Sequence, residues 1–277
     1  VVPRRSRRTV RLGDYAFDAA AAGAVVNIRS GRLVVDGLLA TNAGIALVPV
    51  RRPATSLVGL ALNERGSARL DVMAPGENDL ALRASLLTGD SRTVFAKPSE
   101  EGLEALVPTT FAMPAGSPGV AATFEMIDGG PFVMATRWHA GFASGRRIDV
   151  AAVPGLVAAR RLVAASGPPA NGVQTKIVLA NPGDTAAAVT ITLLRSRSPV
   201  TLGVRTVPPG RVLVFDAGRI GGAIGIEASS DAPIAMMLAG GAPQSKFFAA
   251  FAIGAVPVID PPSVAVEVGE RAGIPRT

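Results

Sequence analysis

Apolar and polar positions alternate with period two through much of the chain. Val189-Thr190-Ile191-Thr192-Leu193 is the clearest case, β-branched up to its final leucine, as in a strand with one buried face. Lys176-Ile177-Val178-Leu179-Ala180 predicts a strand before it, and Asn181-Pro182-Gly183-Asp184 between them is a tight-turn tetrapeptide. Its proline fixes φ and its glycine accepts a positive φ. Further strands are predicted at 204–207, at 211–215 after Pro208-Pro209-Gly210, at 224–228 and at 233–238, with Ser229-Ser230-Asp231-Ala232 as a turn. The same reading places strands at 68–73, 80–87, 93–96, 121–126 and 132–138. Short strands with turn signals roughly every 8–12 residues predict an all-β, antiparallel sandwich architecture. Helix is scarce: residues 99–106 allow one or two turns and 17–22 one more.

The chain also matches itself at a spacing near 105 residues. Ala74-Pro75-Gly76-Glu77, continuing to Leu86-Leu87, aligns without a gap on Asn181-Pro182-Gly183-Asp184 and Leu193-Leu194. Phe124-Glu125 and Pro131-Phe132-Val133-Met134 align on Ile226-Glu227 and Pro233-Ile234-Ala235-Met236. Val-Pro pairs end at Pro49, Pro154 and Pro257. These matches divide the 277 residues into a basic arm at 1–21, one sandwich at 22–148, a second at 149–260 and a Pro-rich tail at 261–277.

The second unit carries a resemblance. Leu179-Ala-Asn181-Pro-Gly-Asp-Thr-Ala-Ala-Ala-Val-Thr-Ile-Thr-Leu, then Val207-Pro-Pro-Gly-Arg211 and Ala228-Ser-Ser-Asp-Ala-Pro-Ile-Ala235, resembles bacterial extracellular immunoglobulin-like repeats. The first unit departs from the pattern, with Ala74 in place of the asparagine and no Pro-Pro-Gly. The resemblance implies two tandem immunoglobulin-like sandwiches, exported from the cell. Such folds host many activities, so it speaks to fold and compartment more than to chemistry.

Composition narrows the chemistry. The chain has no Cys, one His, one Trp and one Tyr, which excludes disulfides, thiolate metal sites and any site needing two histidines. Aromatics at 4% argue against a surface that stacks bases or sugars. The net charge of +7 is mostly local: Arg4, Arg5, Arg7, Arg8 and Arg11 stand in the first eleven residues with no acid, leaving 23 basic against 21 acidic side chains in the body. A start at Val1-Val2-Pro3 suggests a processed chain. The most apolar stretch, 247–259, is shorter than the roughly 20 residues of a membrane helix and holds Gly254 and Pro257, so no transmembrane span is expected.

Several side chains could carry chemistry, each with a structural reading beside it. Trp138-His139, at a strand end, offers a base or ligand with an aromatic platform, or a strand-edge pair. Met126, Met134, Met236 and Met237 could join His139 at copper, but their strand positions favour core filling. Glu100, Glu101 and Glu104, and Glu125 with Asp128, are acidic clusters that read as solvated surface rather than paired catalytic carboxylates. Gly221-Gly222-Ala223-Ile224-Gly225 lacks phosphate-loop spacing. No catalytic, cofactor-binding or metal-ligating set is therefore expected.

What remains is the arm. Its five arginines could meet an anionic envelope polymer, another subunit or, as a weaker alternative, nucleic acid. Thr9-Val10-Arg11-Leu12 alternates and could add a strand to a neighbour's sheet edge. The leading expectation is a non-enzymatic, exported structural protein of the cell surface or of an extracellular complex, built by self-assembly or contact with other subunits. The alternatives are a binding module for anionic or carbohydrate polymer, and a viral or phage sandwich protein with an Arg-rich arm.

Overall fold

The computed structural model describes residues 36–41, 44–49, 52–62, 67–114, 117–141, 147–165, 174–218, 223–241 and 251–258. The arginines of the arm, the Pro-rich tail, residues 17–22 and Gly221-Gly222 lie outside them. Within them the chain is nearly all β, and every strand ladder is antiparallel.

A hairpin, β1 (Asp36–Thr41) and β2 (Gly44–Pro49), comes first. Then follow β3 (Ser56–Leu62), β4 (Ser67–Met73), β5 (Ala81–Leu87), β6 (Arg92–Val94), helix α1 (Ala96–Glu101), β7 (Thr109–Ala112), β8 (Gly119–Asp128), β9 (Val133–Gly141) and β10 (Arg147–Pro154). The remaining strands are β11 (Ala159–Ala165), β12 (Gln174–Asn181), β13 (Ala187–Arg195), β14 (Val200–Val207), β15 (Arg211–Gly218), β16 (Ala223–Gly241), β17 (Phe251–Gly254) and β18 (Val256–Pro257). One four-stranded sheet runs β3-β8-β5-β6 and another β10-β9-β4-β7. In the second half, β16 serves two sheets. Its first part pairs with β13 and β11, giving β14-β13-β16-β11-β18, and its second part pairs with β12 and β17, giving β15-β12-β16-β17.

Strand for strand, the two halves share one order. The sheet β3-β8-β5-β6 corresponds to β11-β16-β13-β14, and β10-β9-β4-β7 to β17-β16-β12-β15. Register agrees as well. Val72 faces Met134 across β4 and β9, and Leu179 faces Met236 across β12 and β16. Met134 and Met236 are aligned in the sequence repeat, and Val72 and Leu179 each stand two residues before its first aligned pair, Ala74 and Asn181. Gly155 N–H donates to the Met134 carbonyl at 2.5 Å, and Ala255 N–H to the Met236 carbonyl at 2.9 Å. Pro154 is thus the counterpart of Gly254. The Val-Pro pair at Pro257 sits three residues further on, in β18. Residues 148 and 149, where the two sandwiches are expected to meet, fall inside β10, which pairs with β9.

Two other expectations change on inspection. Residues 229–232 do not turn. They are the point at which β16 leaves one sheet for the other: Ser230 is its last residue opposite β13 and Ala235 its first opposite β12. Polar side chains serve the backbone across this handover, with Asp231 Oδ1 accepting from Ala188 N–H at 2.8 Å. Turn residues and strand-switch residues look alike because both must bond backbone groups that have left a ladder. The helix begins at Ala96, earlier than residue 99, and stops at Gly102, whose φ of +66° suits glycine. Leu103 then bridges to Leu80.

Packing explains which strands alternate and which do not. In β13 the buried residues are Ala187, Val189, Ile191 and Leu193, with more open positions between them. β12 instead reads Ile177-Val178-Leu179-Ala180, all buried, because its sheet is covered on both faces. Ile177, Leu179, Met236 and Leu238 join one core with Val189, Ile191 and Ile226. Val178, Ala180, Val212, Ala235, Met237 and Ala239 face the other way and join the core of the first half. The four sheets therefore stack in one slab, with β3-β8-β5-β6 packed on β15-β12-β16-β17. Backbone crosses this junction too, Val212 N–H donating to the Thr88 carbonyl at 2.8 Å.

Within the first half, Phe124 meets Phe95, Phe111 and Phe132 at centroid distances of 6.1 to 6.3 Å. The same core contains a flaw. Thr136 is fully buried, and its Oγ1 has no hydrogen-bond partner. A Cβ on Gly59 would lie 2.8 Å from that oxygen and 2.4 Å from Leu70 Cδ2, so the glycine allows the close sheet approach. An unpaired buried hydroxyl costs about 1–3 kcal/mol. Thr136→Val, which keeps the shape, is expected to leave stability unchanged or raise it by about 1 kcal/mol, a Tm gain of roughly 2–4 °C in a melting experiment. A loss of stability would mean the hydroxyl has a partner.

Candidate functional site

Of the residues singled out from the sequence, the arm arginines Arg4, Arg5, Arg7, Arg8 and Arg11 lie outside the described residues. Trp138 and His139 are in β9, where Trp138 is opposite Ala68 and Ala151, and His139 opposite Ser67 and Val150. The methionines are divided among cores: Met134 and Met237 belong to that of the first half, Met236 to that of the second, and Met126 packs at the margin of the first. Neighbours Met236 and Met237 point to opposite faces of one strand, as period two requires.

The acids are dispersed. Glu100, Glu101 and Glu104 are exposed on and after α1, and Glu125 and Asp128 are exposed along β8. Glu125 pairs with Arg83 at 3.4 Å, both largely solvated, a contact worth about 0–1 kcal/mol. Among the described residues no group of three or more His, Asp or Glu side chains is placed to hold a metal ion, and no helix is long and apolar enough to cross a membrane. A hollow beside the Pro75-Gly76 turn, lined by Ala74, Gly76, Glu77, Asn78, Gly130 and Pro131, has a volume of about 40 Å³. That holds about one water molecule, not an organic substrate.

Two polar constellations are built that single-residue reading misses. The first is Asn181. It is fully buried, donates through Nδ2 to the carbonyls of Thr185 (2.7 Å) and Val207 (3.0 Å), and accepts at Oδ1 from Gly183 N–H (3.0 Å). The second lies on the outward face of β10-β9-β4-β7. Asp71 Oδ1 accepts from Thr110 Oγ1 at 2.7 Å and from an Arg137 guanidinium nitrogen at 2.6 Å, while Arg137 Nε pairs with Oδ2 of the same carboxylate. Asp71 and Arg137 are about four-fifths shielded. Alternation marks each as an outward position, but 66 residues separate them, and only the β4–β9 ladder brings them together.

The halves are also tied at the surface, Arg92 donating to Asp184 at 2.8 Å. Among the described residues, β6 and β14 end their sheets, each pairing on one side only. β6 is exposed along its length, with Val94 73% exposed, and β14 presents Val200 and Val204. An unpaired edge with apolar side chains can accept another strand.

No family model matches the chain, and no curated protein matches it. A solved structure titled "Crystal Structure of Thermotoga maritima 1070" is similar over 36% of this chain and 95% of its own, at 23% identity and a TM-score of 0.33.

Proposed function

We propose that the protein is a non-enzymatic structural subunit, exported to the cell surface or to an extracellular assembly, made of two tandem immunoglobulin-like sandwiches. The observation that carries the reading is the repeated strand order, with the two copies packed face to face into one slab. Apolar residues are spent on sheet-to-sheet contacts, as suits a stiff spacer or lattice unit, and edges such as β6 and β14 are left for neighbours. Within each unit the second and fifth strands pair, and the third and sixth, as in an immunoglobulin sandwich. The first strand lies beside the sixth and the seventh beside the second, which distinguishes this order from the constant-type one.

Light scattering with negative-stain imaging tests the proposal on the full chain and on a version lacking residues 1–11. Filaments, sheets or closed shells are expected from the full chain, and their loss on truncation would assign assembly to the arm. A monomer in both samples at high concentration would overturn the structural reading.

The five clustered arginines favour one second reading, retention on an anionic envelope polymer through the arm. Binding to such a polymer should then fall steeply with salt and vanish in the truncated chain. Retention that survives truncation would sink it.

A further inference from the structure

The outward face of β10-β9-β4-β7 is the repeat's counterpart of the face that β15-β12-β16-β17 packs against the first half. Matching the ladders shows this residue by residue. Asp71 is opposite Ala135 and Thr110, as Val178 is opposite Met237 and Val214. Two positions back, Arg69 is opposite Arg137, as Lys176 is opposite Ala239. Asp71, Thr110 and Arg137 thus occupy the positions of Val178, Val214 and Ala239, the apolar side chains of the junction between the units. At this end of the slab an apolar trio has become a mutually bonded polar one.

We infer that the Asp71–Thr110–Arg137 cluster is a cap: it ends the sheet stack and keeps this face from packing on the same face of a second copy. Stacked repeats need terminal faces too polar to bury. A carboxylate, a hydroxyl and a guanidinium held on one another present charge and polarity where the junction has apolar side chains, and burying the ion pair would cost its remaining hydration. The inference concerns sheet faces alone and does not depend on whether edges or arm drive assembly.

The chain has no cysteine, so a single introduced thiol reports on the face cleanly. Ala135, opposite Asp71, is the site. In the otherwise unaltered chain, Ala135→Cys is expected to give no disulfide-linked dimer on mild oxidation. Added to Asp71→Val, Thr110→Val and Arg137→Ala, it should give a cross-linked dimer in most molecules. Half-association by sedimentation should occur at a concentration at least tenfold lower than in the unaltered chain. Exchanging the charges, Asp71→Arg with Arg137→Asp, preserves a polar cluster and should behave like the unaltered chain. If the triple variant keeps its circular dichroism but neither cross-links nor associates, the cap is refuted. Association of the charge-exchanged chain as well would mean general destabilisation, and refutes it equally. Should the triple variant not fold, Asp71→Ala with Arg137→Ala removes the charges without adding bulk and is read by the same two outcomes.

Discussion

Replacing Asn181 with Ala is expected to lower the stability of the chain by about 3 kcal/mol, a fall in Tm of roughly 6–12 °C. Three backbone groups lose their partner at once: Gly183 N–H and the carbonyls of Thr185 and Val207. The site is fully buried, so water does not replace the lost bonds without opening the structure, and each orphaned group costs about 1–3 kcal/mol. Partial relaxation keeps the total near the lower end of that range. The effect should reach beyond the turn, because Val207 closes β14 while Gly183 and Thr185 lie between β12 and β13. Asp184→Ala in the same turn is the control. Asp184 is 93% exposed on its side chain and its ion pair with Arg92 is solvated, so its loss should cost less than about 1 kcal/mol. Urea and thermal melts of both variants decide the matter. Equal shifts would show that Asn181 is an ordinary turn residue and not the anchor of three segments.

The same asparagine shows how far the sequence is legible. Asn-Pro-Gly-Asp announces a reversal because its signals are local, and the chain does bend there, but it passes from β12 in one sheet to β13 in another, and Gly183 does not take the positive φ expected of it. The bond from Asn181 to Val207 spans 26 residues and follows only from the path of β14. Alternation in β13 is readable for the same local reason: one face is buried and the other is not. In β12 the pattern vanishes, since Ile177-Val178-Leu179-Ala180 is covered on both sides, and no single sequence says that the second cover is the other half of the chain. The turn expected at 229–232 fails instructively. Ser230 and Asp231 are indeed where the backbone leaves a ladder, but it passes to another sheet without reversing.

The site residues divide along the same line. Solvated acids such as Glu100 and Glu101 are where their surroundings in sequence put them. Asp71, Thr110 and Arg137 come from three strands, and their meeting is a property of register. The internal repeat is what makes such a meeting interpretable, because it supplies a second copy in which the same register positions hold Val178, Val214 and Ala239.

Gly119→Val is the second substitution with a large expected effect, about 3 kcal/mol of lost stability. Gly119 opens β8 on the face toward the second unit. A Cβ there would fall 2.3 Å from Val214 Cγ2 and 3.0 Å from Val212 Cγ1. Both obstacles are short, branched side chains with little rotamer freedom, so no flexible end can swing aside. The clash must be relieved by moving β8 away from β15, which opens the packing between the two units. Amide exchange at Val212, whose N–H bonds Thr88 across the junction, should accelerate before exchange in β13 does. One unfolding transition in the parent should broaden or divide in two as the units lose their common core. Gly76→Ala serves as the control, since a Cβ at Gly76 meets nothing within 4 Å. The decisive comparison is a double-mutant cycle with Val214→Ala. Removing the obstacle should recover at least about 1 kcal/mol of the Gly119→Val loss, the size of coupling seen between contacting residues. Strict additivity would mean that β8 and β15 do not meet as described, and the two halves would then be separate sandwiches joined by a chain rather than one four-sheet slab.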